Sequence, residues 1–326
     1  MTADYDATII GAGAAGMSAA IYTQRKKLKT LVVSVDVGGQ TNLTNHIENY
    51  PGYFTDTPGY PSGPMLMKIF QQQMLAVGAK IVSGKVATLE RHGDGTDARF
   101  TVTLTSGAVY RSRVIILAYG KVPKELGIPG ERKFIGNGVS NSTLFDAEKF
   151  KGMPVAVIGG GNSGLEGALL CAQYANKVYL VHRRDEFRGD PVTADKVRAN
   201  DKIELVLSYV PVEVKGNAAV EHLVVENVND HSKRELAVNG IFVNVGYVVD
   251  TEFVKDFVER NDQKEIIVDD HCVTKTPGLF AAGDITSVPY KQTVVSAGMG
   301  ATAALEAYNY LQRLEGKPTS KADWGV

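Results

Sequence analysis

The chain has 326 residues, and since domains average about 150 residues, two domains are expected. It carries 35 Lys and Arg against 36 Asp and Glu, a formal net charge of -1. This balance argues against nucleic acid or an anionic membrane surface as a partner. The start has no basic leader, and no apolar run approaches the roughly 18 residues of a membrane span. We therefore expect a cytoplasmic protein without a membrane partner or a metal.

The first predicted elements form a strand, turn and helix. The pattern predicts a buried strand over 7–10, a glycine-rich turn over 11–16 and a helix over 17–26, with a parallel strand over 30–34. This order is typical of a nucleotide-binding unit.

The same order recurs further along the chain, displaced by 148 residues from Gly11 to Gly159. The recurring strand, turn, helix and strand are predicted over 155–158, 159–164, 165–175 and 177–181. Beyond them, 221–225 and 235–245 are predicted as antiparallel strands that cap the second unit. The segment from 251 onward is expected to return to the first unit.

Each turn has the pattern Gly-x-Gly-x-x-Gly, and the first, second and third glycines of this pattern have separate tasks. In Gly11-Ala12-Gly13-Ala14-Ala15-Gly16, the first glycine permits the tight turn, the second lets a pyrophosphate approach, and the third packs helix on strand. The helix N-terminus adds free N–H groups and partial positive charge for that anion. The second copy is Gly159-Gly160-Gly161-Asn162-Ser163-Gly164. Two such turns in matching contexts predict two nucleotide sites.

The residues about 20 positions beyond each turn distinguish the two ligands. Ser34 and Asp36 follow the first turn, and Asp36 could accept a ribose hydroxyl. Arg183, Arg184 and Arg188 follow the second. Guanidinium groups suit a 2′-phosphate, so the second site is predicted to prefer NADPH over NADH. The alternative is a solvated basic patch that Asp185 and Glu186 partly neutralise.

A polar turn near a late helix start offers groups for a flavin. The segment 278–284 reads as a short apolar strand that ends in Gly283-Asp284, and a helix of small residues is predicted from Val294. Asp284 could hold a polyol hydroxyl, and Gln292 could face a pyrimidine edge. The residues alone leave a plain polar turn equally open.

These residues carry a family resemblance that covers nearly the whole chain. The sequence resembles the low-molecular-weight thioredoxin reductases through both glycine turns and through these further motifs: Gly38-Gly39-Gln40, Glu48-Asn49-Tyr50-Pro51-Gly52, Gly120, Gly127-Ile128-Pro129-Gly130, His182-Arg183-Arg184 with Arg188, and Phe280-Ala281-Ala282-Gly283-Asp284.

The resemblance implies an α/β protein of two Rossmann-like, three-layer ββα domains, the second inserted in the first. It implies an FAD domain over 1–118 and 247–326, an NADPH domain over 119–246, rotation between them, and a homodimer. The residues implied for FAD are Gly11, Gly13, Ala15, Gly16, Gly39, Gln40, Asn49, Gly283, Asp284, Gln292 and Thr293. Those implied for NADPH are Gly161, Asn162, Ser163, Arg183, Arg184 and Arg188.

The chain departs from the family at its redox-active Cys-x-x-Cys. The family's flanking residues are present as Gly138-Val139-Ser140 and Asp146, but the cysteine positions hold Ser142 and Phe145. Neither side chain can form a disulfide or a thiolate. The only cysteines are Cys171 and Cys272, 101 residues apart, and each is expected to be a small buried residue.

Smaller departures accompany this loss. Tyr119 replaces a hinge threonine, Val249-Asp250 replaces a Pro-Asn pair, and the loop 53–61 is slightly long. Trp324, the only tryptophan, lies in a C-terminal extension. It could stack on an exposed flavin face, or the tail could be disordered or packed in a dimer.

Intact nucleotide motifs beside a missing cysteine pair predict an FAD-dependent NADPH oxidoreductase. Electrons would pass to a non-disulfide acceptor: a ferredoxin, a flavodoxin, a quinone or oxygen. No catalytic side chain is assigned. One alternative is a flavin- or nucleotide-binding sensor or subunit without turnover, favoured by the altered hinge. Another is disulfide reduction through Cys171 or Cys272.

Overall fold

The computed structural model describes residues 4–44, 47, 49–53 and 62–319, without the side chains of Asp4, Leu144 and Phe145. The expectations for Trp324 and for most of the loop 53–61 therefore lie outside the described residues. The chain divides into two compact units. Unit 1 comprises Met1–Val122 and Val249–Val326, and unit 2 comprises Pro123–Val248.

The secondary structure alternates strands and helices at the start of each unit. The strands are β1 (Asp4–Ile10), β2 (Thr30–Ser34), β3 (Lys80–Ser83), β4 (Val86–His92), β5 (Arg99–Leu104), β6 (Val109–Leu117), β7 (Val122–Pro123), β8 (Val139–Ser140), β9 (Pro154–Ile158), β10 (Lys177–His182), β11 (Ile203–Leu207), β12 (Tyr209–Gly216), β13 (Val220–Asn227), β14 (Lys233–Ala237), β15 (Gly240–Val243), β16 (Tyr247–Val248) and β17 (Leu279–Ala281). The helices are α1 (Ala14–Arg25), α2 (Gly63–Ala76), α3 (Thr143–Asp146), α4 (Asn162–Tyr174), α5 (Pro191–Arg198) and α6 (Thr293–Leu314).

Unit 1 is built on a sheet in the order β3-β2-β1-β6-β5-β4, with β17 also paired to β6. The strands β3, β2, β1, β6 and β17 are parallel, while β5 pairs antiparallel with β6 and β4 pairs antiparallel with β5. Helices α1, α2 and α6 contribute to a core on one face of the sheet. Because β17 lies beside the carboxyl end of β6, the last part of the chain completes the sheet that the first part begins.

Unit 2 repeats this plan with a parallel sheet in the order β11-β10-β9-β15-β8 and an antiparallel layer β12-β13-β14. The antiparallel pairing predicted after the second helix is present between β13 and β14. The prediction of one strand over 235–245 was wrong. The chain turns at Val238 and Asn239, and β15 then pairs in parallel with β9, since its four buried residues suit the centre of a sheet rather than an exposed cap.

Both glycine-turn helices begin three residues earlier than predicted. Helix α1 begins at Ala14 rather than at 17, and α4 begins at Asn162 rather than at 165. In each, the second glycine of the turn is the N-cap in extended conformation. The third glycine therefore lies within the first helical turn. Within the described residues, no helix has the length and apolar character that a membrane crossing requires.

Candidate functional site

The first glycine turn joins β1 to α1 and is tightly constrained by its neighbours. Gly11 has φ +109°, and a Cβ there would lie 2.4 Å from the Ala118 carbonyl oxygen. A Cβ on Gly16 would lie 1.9 Å from the Gly11 carbonyl oxygen. Ser34 Oγ accepts a hydrogen bond from Ala12 N at 3.0 Å. The first and third glycines are thus required by the protein's own packing.

The second turn, between β9 and α4, has the same construction. Gly159 has φ +137°, and its Cβ would lie 2.2 Å from the Asn244 carbonyl oxygen. A Cβ on Gly164 would lie 2.3 Å from the Gly159 carbonyl oxygen. The repeat seen in the sequence is therefore a repeat of local packing.

The middle glycine of each turn faces open space. A Cβ on Gly13 or Gly161 would meet no atom of the described residues within 4 Å, and both residues have negative φ. Among the described residues, no side chain caps the start of α1 or α4, so the N–H groups at these two helix starts suit an anion. Since nothing inside the protein requires glycine at these two positions, the space suits a ligand that approaches the backbone, as the pyrophosphate of a dinucleotide does.

Unit 1 brings together the segments that carry the residues predicted for FAD. Gly39 lies against Gly13, with an ideal Cβ 3.5 Å from the Gly13 Cα. A Cβ on Gly283 would lie 3.0 Å from that of Ala15. Asp284 Oδ1 accepts a hydrogen bond from Ser296 Oγ at 3.1 Å. The two ends of the chain therefore meet at the first glycine turn.

Further contacts extend this cluster toward the start of α6. Asn49 Nδ2 donates to Gln292 Oε1 at 3.0 Å. Thr293, the first residue of α6, shares a 3.1 Å hydrogen bond with Thr41 through their hydroxyl oxygens. Gln40 Nε2 donates to the Lys121 carbonyl oxygen at 3.1 Å. All the positions predicted for FAD thus belong to segments that meet within one unit, and their amide and carboxylate groups suit hydroxyl and amide partners on a ligand.

Unit 2 contains a cleft of about 610 Å³ at the carboxyl ends of its parallel strands. Ligands of open α/β sheets bind at this edge. The residues that line it are Lys124, Glu125, Leu126, Ile158, Gly159, Gly160, Gly161, Asn162, Ser163, Val181, His182, Arg183, Arg188, Tyr209, Val210, Pro211, Asn244, Val245 and Gly246. Its volume is typical of small-molecule and cofactor sites.

The predicted arginines separate into two groups. Arg183 and Arg188 line the cleft, while Arg184 is exposed and is not among its lining residues. Among the pairs found in the described part of the chain, none of the three forms an ion pair with Asp185 or Glu186. The two lining guanidinium groups are therefore free to bind a phosphate.

His182 lies beneath these arginines at the end of β10. Its ring stacks on Phe187 with centroids 6.0 Å apart, and its buried Nε2 has no hydrogen-bond partner among the residues that the structure describes. Burial, together with nearby guanidinium groups such as Arg184, lowers the pKa of His182, although a backbone hydrogen bond at Glu186 opposes the shift. The ring is therefore neutral at pH 7 and adds no charge to the cleft.

Sequence reasoning missed the wall of the cleft formed by Asn244, Gly246 and Lys124. Asn244 Nδ2 donates to Thr143 Oγ1 at 3.0 Å and to the Ser163 carbonyl oxygen at 3.1 Å. The backbone N–H of Lys124 donates to the Gly246 carbonyl oxygen at 2.9 Å. A prediction of 240–243 as a central parallel strand would have identified Asn244 as a cleft residue, since residues just after such strands line this edge of the sheet.

The segment 140–146, which the sequence leads us to expect at the family's cysteine positions, is held by hydrogen bonds among Ser140, Ser142 and Asp146. Ser140 Oγ donates to Asp146 Oδ2 at 2.6 Å and accepts from Ser142 N at 2.9 Å. Lys149 Nζ lies 2.6 Å from Asp146 Oδ1. Burial tends to raise the pKa of Asp146, but hydrogen bonds from Lys149 and Ser140 outweigh it and lower the pKa. Asp146 is thus an ionised anchor for the loop.

Both cysteines are buried, as expected. Cys171 lies within α4 of unit 2, and Cys272 lies in a turn of unit 1. Burial raises the pKa of the Cys171 thiol to about 12. Burial and the nearby Asp269 carboxylate raise that of Cys272 to about 12. Neither sulfur is a thiolate near neutral pH.

Tyr119 is packed into unit 1 rather than exposed. Its ring contacts Phe253 with centroids 5.4 Å apart, and its buried hydroxyl has no hydrogen-bond partner in the described part of the chain. Burial and the Asp250 carboxylate raise its pKa, although Arg260 lowers it in part. The Tyr119 ring therefore packs against the part of unit 1 that resumes at Val249.

Comparison with known proteins gives one family. The model of the pyridine nucleotide-disulphide oxidoreductases matches residues 5–301. The chain is 38% identical to a thioredoxin reductase of Helicobacter pylori over 94% of this chain and 99% of that protein. It is similar to the crystal structure of Lactococcus lactis thioredoxin reductase, with a TM-score of 0.80, 36% identity and coverage of 95% and 99%. A ferredoxin-flavin thioredoxin reductase from Clostridium acetobutylicum gives a TM-score of 0.52, 28% identity and coverage of 96% and 99%.

Proposed function

Because this chain belongs to the pyridine nucleotide-disulphide oxidoreductase family and is a homologue of thioredoxin reductases, we propose that it passes electrons from NADPH, through FAD, to an acceptor other than a disulfide. The family uses FAD and NADPH. The acceptor would be a ferredoxin, a flavodoxin, a quinone or oxygen. The observation that carries the proposal is that both of its cysteines are buried, in different units, with raised pKa values.

The residues of unit 1 support the binding of FAD. The open space at Gly13 and the uncapped start of α1 suit its pyrophosphate. Asp284 would hold a hydroxyl, and Gln40, Asn49 and Gln292 would orient the ring system through their amides. When bound, FAD supplies the capacity to accept a hydride and to release electrons singly or in pairs. The full proposed set is Gly11, Gly13, Ala15, Gly16, Gly39, Gln40, Asn49, Gly283, Asp284, Gln292 and Thr293.

The cleft of unit 2 supports the binding of NADPH. Its pyrophosphate would lie on Gly161, Asn162 and Ser163 at the start of α4, and its 2′-phosphate on Arg183 and Arg188. Arg184 stays in the proposal as a more distant source of positive charge. The proposed domain boundaries at 118 and 246 differ only slightly from the limits of the compact units.

The segment 140–146 supports the non-disulfide acceptor. If Ser142 and Phe145 occupy the family's cysteine positions, no dithiol can accept electrons there. Asp146 is engaged with Ser140 and Lys149, so it would not donate a proton to a thiolate. The name of the Clostridium relative joins ferredoxin to a thioredoxin reductase without naming ferredoxin as the acceptor, so ferredoxin is tested beside the other acceptors.

The test is an anaerobic stopped-flow experiment followed by an acceptor panel. Absorbance near 450 nm would follow reduction of the flavin by NADPH, and thioredoxin, ferredoxin, flavodoxin, quinone and oxygen would be compared on one preparation. We expect rapid reduction and turnover with at least one non-disulfide acceptor. Turnover with thioredoxin alone would refute the proposal. A flavin that stays oxidised for minutes would favour a sensor or subunit. Light scattering would test the homodimer proposed from the same family.

A further inference from the structure

Lys124 lies on the β15 side of the unit 2 cleft, whereas Arg183 and Arg188 follow β10. It lines the cleft, and its backbone N–H donates to the Gly246 carbonyl oxygen at 2.9 Å. Gly246 follows three residues after the end of β15. Lys124 is therefore fixed at the carboxyl end of β15.

The order of the strands indicates which half of a dinucleotide meets each wall. In the sheet β10-β9-β15 the glycine turn follows the middle strand, β9. Arg183 and Arg188 follow β10 on one side and mark the 2′-phosphate of the adenosine half. With the pyrophosphate on the central turn, the remaining half of the molecule must extend over β15. That half carries the nicotinamide ring.

The charge at this wall is not neutralised. Glu125 also lines the cleft, but Arg132 Nε lies 2.8 Å from its Oε2. Among the residues that the structure describes, the Lys124 ammonium group makes no ion pair or hydrogen bond. Within the described part of the chain, no carboxylate therefore neutralises the Lys124 ammonium group on the nicotinamide side of the cleft.

We infer that Lys124 makes the cleft discriminate between the reduced and oxidised forms of its nucleotide, and this rests on the proposed binding of NADPH. The nicotinamide ring is neutral in NADPH and carries one positive charge in NADP⁺, while the phosphates of the two forms are the same. A lysine near the ring therefore repels only the oxidised form. For unit charges about 6 Å apart near water's dielectric constant, Coulomb's law corresponds to about a threefold change in affinity. Lys124 would thereby assist release of the oxidised nucleotide.

The experiment compares two ligands by calorimetry on the oxidised flavoprotein. One is NADP⁺, and the other is tetrahydro-NADP, whose ring is neutral and transfers no hydride. For the unaltered protein the dissociation constant should be higher for NADP⁺. Lys124→Gln should lower the ratio of the two constants about threefold, and Lys124→Arg should preserve it. Lys151→Gln is the matched control, because Lys151 is an exposed lysine of unit 2 outside the cleft.

The possible failures are distinguishable. Equal weakening of both ligands by Lys124→Gln would mean that Lys124 acts on the phosphates, and it would overturn the inference. An unchanged ratio with unchanged affinities would overturn it as well, while leaving the proposed function intact. If the unaltered protein binds neither ligand, the proposed function itself is wrong.

Discussion

Substituting the second or third glycine of the unit 2 turn should have opposite consequences for ligand binding and folding. At Gly161 the φ is -94° and a Cβ meets no protein atom within 4 Å, so Gly161→Ala should cost only the difference in N-cap preference, about 1 kcal/mol or less. At Gly164 the added Cβ would lie 2.3 Å from a backbone carbonyl oxygen that cannot rotate away. We expect Gly164→Ala to destabilise unit 2 by about 3 kcal/mol.

The ligand measurement should show the reverse order. An added methyl group at Gly161 would occupy the space proposed for the pyrophosphate. Overpacking of about 1–3 kcal/mol corresponds to a rise in the dissociation constant of NADP⁺ of about tenfold to a hundredfold. The assay combines calorimetric titration with thermal unfolding by circular dichroism. The Tm should fall by roughly 10 °C in Gly164→Ala and by about 4 °C or less in Gly161→Ala.

The flavin spectrum provides an internal control, because FAD is proposed to bind unit 1 and should be retained by Gly161→Ala. Unaltered NADP⁺ affinity in Gly161→Ala would refute the reasoning that the open space at this glycine belongs to a ligand. Loss of stability in Gly161→Ala as large as that in Gly164→Ala would show that the glycine serves folding instead.

Three further predictions concern charged and sulfur-containing groups. Because both thiol pKa values are about 12, Cys171 and Cys272 should not react with a thiol reagent at pH 8 in the native protein but should react in denaturant. Serine at both positions should leave NADPH turnover unchanged. Rapid labelling of the native protein would contradict this prediction. Arg183→Gln should raise the KM for NADPH by about tenfold to a hundredfold, because a charged hydrogen bond contributes about 1.5–3 kcal/mol. The KM for NADH should stay unchanged. Equal effects on both nucleotides would argue against a 2′-phosphate contact. Asp146→Asn should be less stable than the unaltered protein at pH 7, but the difference should shrink as the pH falls below 3.8, because folding lowers the pKa of Asp146 from that value. Urea unfolding at pH 7 and pH 3 would measure the difference in stability. A difference that stays constant would mean that the carboxylate charge is not involved.

The nucleotide turns could be predicted in detail because their chemistry is local. The roles assigned to Gly11, Gly13 and Gly16 require only that a strand precede and a helix follow, and the backbone angles and contacts of these glycines agree with those roles. The cysteine content is likewise a property of the sequence alone. No fold can make a dithiol of Cys171 and Cys272 without bringing their sulfurs together, and the structure buries them in different units.

Other features depended on contacts between residues far apart in sequence. The alternation within 235–245 did not reveal that 240–243 is a central parallel strand, because a short apolar run fits either kind of sheet. For the same reason Asn244 and Lys124 were not recognised as cleft residues. Nor could spacing show that Arg184 is outside the cleft lining while Arg188 lies within it, since both lie beyond the end of β10.

What the sequence by itself determined is therefore the family, the pair of glycine turns and the absence of a Cys-x-x-Cys, since each depends on residue identity at short spacing. What only the tertiary structure decided is which side chains share a surface. Three features depend on how distant segments pack: the hydrogen bond between Asn49 and Gln292, the ion pair between Asp146 and Lys149, and the place of Lys124 on the cleft wall without a partner among the described residues. Burial and ion pairing are set by neighbours in space and not by neighbours in the chain.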